Sequence, residues 1–305
     1  MWITRQVSDE ITGRFHNGTC FDVLGPVDAP VVALIHGLGL SRRMWGQHLP
    51  ALSQHFRVIN YDLYGHGDSA PLPHLPVKHS ASHAEDHPEN TATLKSYSRQ
   101  MAELVDHLGC SRLGVIGFSI GGMINRRFAM DYADKVTALV IMNSPHNRGE
   151  ELQAQVENRA AKVRDQGAMS TMPDALKRWF TPAFLASASV STDSQPNTVP
   201  SDIHAAELVS RWRKQVDAES YAQATWVLAN GVRELIKPRP VIEVPALVMT
   251  SEFDSGSTPA MSRDIAAEIA LSELVIVPGL QHLGLMEEPE LFTNAIINFL
   301  KRCWS

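Results

Sequence analysis

The chain is expected to fold as an α/β protein: a mainly parallel sheet with helices on both faces, into which one all-helical segment is inserted. Three features of the sequence lead there. Short, β-branched apolar runs alternate with amphipathic helical stretches over about 21–144, and again from about residue 244. Between these stretches, over 145–240, strand signals vanish and only helical periodicity remains. Finally, an apolar run leads through Gly117-Phe118-Ser119-Ile120-Gly121 directly into a helical pattern, so a strand hands over to a helix across a sharp turn. The predicted division is therefore a core of 1–144 and 241–305, with a helical cap of 145–240.

Taken in order, Val31 to Ile35 lacks polar alternation and fits a strand covered on both faces. Met44 to Leu52 reads as a helix and Phe56 to Tyr61 as the next strand. Thr93 to Leu108 places Leu94, Tyr97, Met101, Leu104, Val105 and Leu108 on one helical face, with Gly109 as a stop. Leu113 to Ile116 enters the serine turn, Met123 to Ala129 follows as helix, and Val136 to Met142 is a strand. In the helical segment, Glu150 to Gln166, Ser201 to Ala218 and Ser220 to Asn230 carry the pattern. Ser201 and Ser220 stand where N-caps belong, and Gly231 where a helix stops. Beyond it come a strand over Pro245 to Met249, a helix over Pro259 to Ala270, a strand over Glu273 to Val277, and a closing helix over Pro289 to Leu300 with proline in its first turn.

Composition narrows the function. A net charge of -6 gives no reason to expect nucleic acid or an anionic membrane as partner. The apolar runs are too short to span a bilayer. The first residues, Met1 to Gln6, carry neither an apolar h-region nor a cleavage site, and Cys20, Cys110 and Cys303 are isolated, so a reducing cytoplasm is the expected compartment. No internal repeat is present.

Acyl-transfer chemistry needs a nucleophile, a base, a carboxylate to orient the base, and donors for the oxyanion. Ser119 sits on the strand-to-helix turn, where Gly117 and Gly121 provide the space a strained backbone requires. His282, on the loop after the strand ending at Val277, reaches the same carboxyl edge of the sheet and is the expected base. Asp254, past the end of another strand, is the expected acid, with Glu252 as local competitor. The earlier strand ends in Asn143-Ser144, which offers no carboxylate. The N–H groups of Leu38, in the loop His36-Gly37-Leu38-Gly39-Leu40, and of Ile120, after the serine, are the expected oxyanion donors. His36 is expected to brace its loop, and His66 and Asp68 to hydrogen-bond locally within the turn Asp62 to Ser69.

His36-Gly37, Gly65-His66-Gly67-Asp68-Ser69, Gly117-Phe118-Ser119-Ile120-Gly121-Gly122, Asp254 and Gly279-Leu280-Gln281-His282 together resemble the α/β hydrolases of capped esterase and lactonase type. The resemblance spans nearly the whole chain. Within that superfamily the chain is similar to 3-oxoadipate enol-lactonases, over Arg159 to Arg164, Leu176 to Phe184 and Gly121 to Ile124. The resemblance implies an eight-stranded sheet and hydrolysis of a small ester or enol-lactone without a cofactor. The longer 70–90 segment, the stretch Asn143 to Arg148, and one extra residue between Asp254 and Pro259 depart from those lactonases. A carbon–carbon bond hydrolase of ring-cleavage diketones, a cofactor-free perhydrolase and a hydrolase-fold ligand-binding protein remain alternatives on the same site.

Two further groups need weighing. Trp179, Phe180 and Phe184 are candidates to line a substrate pocket, whereas most aromatics of the insertion serve to hold it together. His74, His79, His83 and His87 are dense enough to suggest a metal, but Pro71, Pro73, Pro76 and Pro88 argue for a solvated loop, so no metal is expected.

Overall fold

A computed structural model describes residues 10–72, 92–187 and 204–304. Eight strands form one sheet: β1 (Ile11–Arg14), β2 (Cys20–Leu24), β3 (Val31–Ile35), β4 (Arg57–Tyr61), β5 (Leu113–Phe118), β6 (Val136–Met142), β7 (Ala246–Ser251) and β8 (Ser272–Val277). Their order is β1-β2-β4-β3-β5-β6-β7-β8. Only β1 and β2 run antiparallel to their neighbours, and β3 to β8 are parallel. The expected mainly parallel, eight-stranded sheet is therefore present.

Alternation along each strand divides the core in two. Ala33, Ile35, Val115, Leu139, Ile141 and Val248 point to one face. There they meet helices α2 (Leu94–His107), α3 (Ile120–Asp131) and α9 (Pro259–Glu268). Val32, Leu34, Ile116, Val140 and Met249 point the other way, to the closing helix (Pro289–Cys303) and to Trp45 and Leu52 around the short helix α1 (Leu49–Leu52). Both faces are covered, which is why these strands read as unbroken apolar runs. The helix expected over Met44 to Leu52 is instead a 3-10 turn over Arg42–Trp45 followed by α1, because Pro50 suits only a first turn. Thr93 caps α2 through a reciprocal pair with Ser96.

Between β6 and β7 lie α4 (Gly149–Gln166), α5 (Met172–Trp179), α6 (Pro182–Ser187), α7 (Ala205–Gln215) and α8 (Ala218–Asn230), with no strand among the described residues. The cap of α8 differs from expectation: Asp217 is the N-cap, and its carboxylate accepts from the Ser220 N–H and hydroxyl, so Ser220 lies one turn in. His204 caps α7, and Ser201 falls outside the described residues. So do His74, His79, His83 and His87. No helix among the described residues is long and apolar enough to cross a membrane.

Candidate active site

The turn from β5 into α3 forces Ser119 to φ 57°, ψ -115°, a left-handed conformation unusual for a residue with a side chain. The neighbouring glycines are required for packing. A Cβ on Gly117 would lie 2.1 Å from the Gly121 carbonyl oxygen, and one on Gly121 would lie 2.4 Å from that of Ile35. Their absence lets α3 press against β3 while the serine hydroxyl stands clear of the sheet.

Ser119 Oγ lies 3.2 Å from His282 Nε2, and His282 Nδ1 lies 2.6 Å from Asp254 Oδ2. An ionised Asp254 only accepts, so His282 donates from Nδ1 and presents an unprotonated Nε2 to the serine hydroxyl. Burial pushes the Asp254 carboxyl up, but the His282 ring, the Asn143 amide and the Ser257 N–H outweigh it and hold the group below the ordinary carboxylate range. Its oxygens are fully used: Oδ2 also accepts from Asn143 Nδ2 at 2.9 Å, and Oδ1 accepts from the N–H groups of Gly256 and Ser257, both at 2.9 Å. Glu252, the local competitor, instead accepts from the Gly279 N–H and takes no part in this chain of bonds.

Leu38 lines the cavity beside Ser119 on a loop whose Gly39 has φ 72°. Ile120 opens α3, so its N–H has no acceptor one turn back. Beneath this loop the buried His36 ring accepts from the Leu63 N–H at 3.0 Å and donates to the Gly37 carbonyl at 2.8 Å. Burial lowers its pKa to about 4, so it stays neutral as a brace. His66 bonds to the Tyr64 carbonyl, and Asp68 pairs with Arg42 and Arg43.

A cavity of about 250 Å³ opens between these residues and the helical insertion. Trp179 lines it, with its ring 6.2 Å from that of His282. Phe180 and Phe184 do not, which corrects the expectation from sequence. Phe180 is fully buried and stacks on Phe184 at 5.2 Å, so the pair closes the junction between insertion and core. They fall on the opposite side of the chain from Trp179 because Phe180 leaves the helix in an extended conformation. The same junction ties α5 to the histidine loop: the Leu283 N–H donates to the Trp179 carbonyl at 2.8 Å, and the Gln281 amide to that of Lys177 at 3.0 Å. Thr181 donates from its N–H and hydroxyl to Glu287.

Sequence reasoning missed five contributors. Asn143 stands where an acid is placed in some related sites and pins Asp254 instead; its position at the end of β6 was the available signal. Arg159, Arg178 and Arg213 line the cavity from three different helices, and nothing in the linear sequence brings them together. Tyr221 lines it beside them. Among the described residues no group of three or more His, Cys, Asp or Glu is arranged to hold a metal ion.

A serine on a strained turn at the carboxyl edge of a parallel sheet, facing a histidine and a buried aspartate, is the constellation of α/β hydrolases. The family model for the alpha/beta hydrolase fold matches residues 30–289, and the chain belongs to that family. It is 26% identical to 3-oxoadipate enol-lactonase 2 of Acinetobacter baylyi over 283 residues, covering 92% of each chain. Among solved structures it resembles the enol-lactonase from Burkholderia xenovorans, with a TM-score of 0.73 at 27% identity, over 93% of this chain and 98% of that one. It also resembles a thermophilic esterase from Thermogutta terrifontis, with a TM-score of 0.73 at 25% identity, over 98% and 100% of the two chains. These findings agree with the sequence in making the chain a hydrolase similar to enol-lactonases.

Proposed function

We propose that the protein hydrolyses a carboxylic ester or lactone through an acyl-enzyme on Ser119. The observation that carries this is the continuous path from Ser119 Oγ through His282 to a buried, fully hydrogen-bonded Asp254. His282 Nε2 takes the hydroxyl proton as Ser119 attacks the carbonyl carbon. The N–H groups of Leu38 and Ile120 receive the oxyanion, each lowering the barrier by on the order of 3 kcal/mol. The C–O bond then breaks, His282 returns the proton to the leaving oxygen, and it next deprotonates the water that releases the acyl group. In a lactone the leaving oxygen stays tethered, so one ring-opened acid is the product. Similarity to enol-lactonases and to an esterase supports this chemistry. So does a cavity whose small volume suits a compact substrate.

The test is hydrolysis of p-nitrophenyl acetate, p-nitrophenyl octanoate, simple lactones and an enol-lactone by wild type and Ser119→Ala. Turnover by wild type should fall by about 10⁴-fold or more in the variant. Retention of a tenth of the activity by Ser119→Ala would remove the nucleophile assignment. Folded wild type with no turnover on any member would turn attention to carbon–carbon cleavage or ligand binding.

A further inference from the structure

An acidic chain has built a basic pocket. The protein carries a net charge of -6, yet Arg148, Arg159, Arg178 and Arg213 line the cavity, and the one carboxylate lining it among the described residues, Asp254, is already engaged by His282. Arg148 is occupied, donating to the carbonyls of Leu228 and Ala229 and to Gln153. The other three differ. None of them forms an ion pair among the described residues. Arg213 is 4% exposed, and its guanidinium lies 4.9 Å from the centroid of Trp179 and 5.0 Å from that of Tyr221. Its Nη1 lies 3.2 Å from the Met172 sulfur and its side chain also bonds to Tyr221, whereas its Nε has no hydrogen-bond partner among the described residues. Burial and the fields of Arg159 and Arg213 lower the pKa of Arg178 to about 10, and Asp254 is near enough to act against them. The cluster therefore sits close to the triad.

Like charges gathered in a half-buried site destabilise one another unless an anion joins them, and a planar guanidinium matches a carboxylate with paired hydrogen bonds. Stacking on Trp179 and Tyr221 fixes the Arg213 plane before any ligand arrives. We propose that Arg159, Arg178 and Arg213 form a carboxylate subsite, so that the substrate is a small ester or lactone bearing a free carboxylate. This rests on Ser119 being the acyl-transfer nucleophile, since the subsite orients the scissile carbonyl toward it.

Two esters of equal chain length separate the possibilities: p-nitrophenyl pentanoate, ending in a methyl, and mono-p-nitrophenyl glutarate, ending in a carboxylate. Wild type should favour the glutarate ester in kcat/KM by about tenfold or more, and that ratio should collapse toward one in Arg178→Gln and in Arg159→Gln. Arg213 is left intact because its burial between two rings makes its variants prone to misfolding. Glutarate binding to Ser119→Ala, followed by calorimetry with and without Arg178→Gln, reads the subsite without turnover. A wild type that hydrolyses pentanoate equally well or better overturns the subsite and leaves the nucleophile standing. Arg178-dependent glutarate binding in a protein that hydrolyses neither ester keeps the subsite and removes the serine-hydrolase reading. A preference for the glutarate ester that survives both arginine substitutions also overturns the subsite.

Discussion

Asn143 shows how one side chain can stand in for another's chemistry. It follows β6 at φ 46° and donates to the same Asp254 oxygen that accepts from His282. A carboxylate there would lie beside the one at 254, and the two could not both be ionised comfortably. Asp254→Asn should lower kcat by about 10⁴-fold, because His282 loses the acceptor that fixes its tautomer. Adding Asn143→Asp to that variant should restore at least about tenfold, since an acceptor then returns within one hydrogen bond of the original site. Steady-state kinetics on p-nitrophenyl acetate decides it: a double variant no better than Asp254→Asn means that residue 143 cannot reach His282. The grouping of Ser119, His282 and Asp254 was legible in the sequence because each follows an apolar run at a predictable edge of the sheet. The arginines were not. Each reads as an ordinary solvated position on its own helix, and only packing of α4, α5 and α7 makes them neighbours.

At the scale of elements, the parallel strands announced themselves through β-branched runs, whereas the β1–β2 hairpin did not. The β1 strand exposes most of its residues, so no apolar pattern marks it. Likewise α5 and α6 are too short for periodicity to register. The contact between α3 and β3 is demanding, because the Ile35 carbonyl occupies the space that a side chain at 121 would fill. Backbone cannot yield as a flexible side chain can, so Gly121→Ala should destabilise the protein by about 3 kcal/mol, near the top of the range for overpacking. Urea unfolding would show this as a lower midpoint at unchanged slope. An unaltered midpoint would mean that the helix shifts freely on the strand. Arg42 shows the opposite case, a buried cation satisfied by Asp22, Asp62 and Asp68 together, which ties the turn after β3 to the one after β4.

Over the whole molecule, acid sensitivity follows from buried neutral histidines. Burial lowers the pKa of His36 and His48 from 6.5 to about 4, and that of His66 to about 3. Between pH 6.5 and these values the unfolded chain binds protons that the folded one refuses, so stability falls as pH falls through that window. Asp254 acts in a lower range: its depressed pKa gives stability that is present above the unfolded carboxylate value and lost only as pH falls through the folded one. Scanning calorimetry should therefore show the melting temperature dropping steadily from pH 7 to pH 4.5, with a shallower slope in His48→Gln. A flat profile across that interval would show that these rings take up protons without unfolding.

The helical insertion between β6 and β7 also divides the machinery in time. Ser119 and the proposed oxyanion donors precede the insertion in the chain, whereas Asp254 and His282 follow it. As the polypeptide leaves the ribosome, the proposed nucleophile, Ser119, emerges long before the proposed base, His282. A stalled or truncated product can thus hold a complete serine turn and still be unable to attack an ester. Under the proposed mechanism, activation of Ser119 waits until β7 and β8, whose following loops carry Asp254 and His282, have joined the sheet.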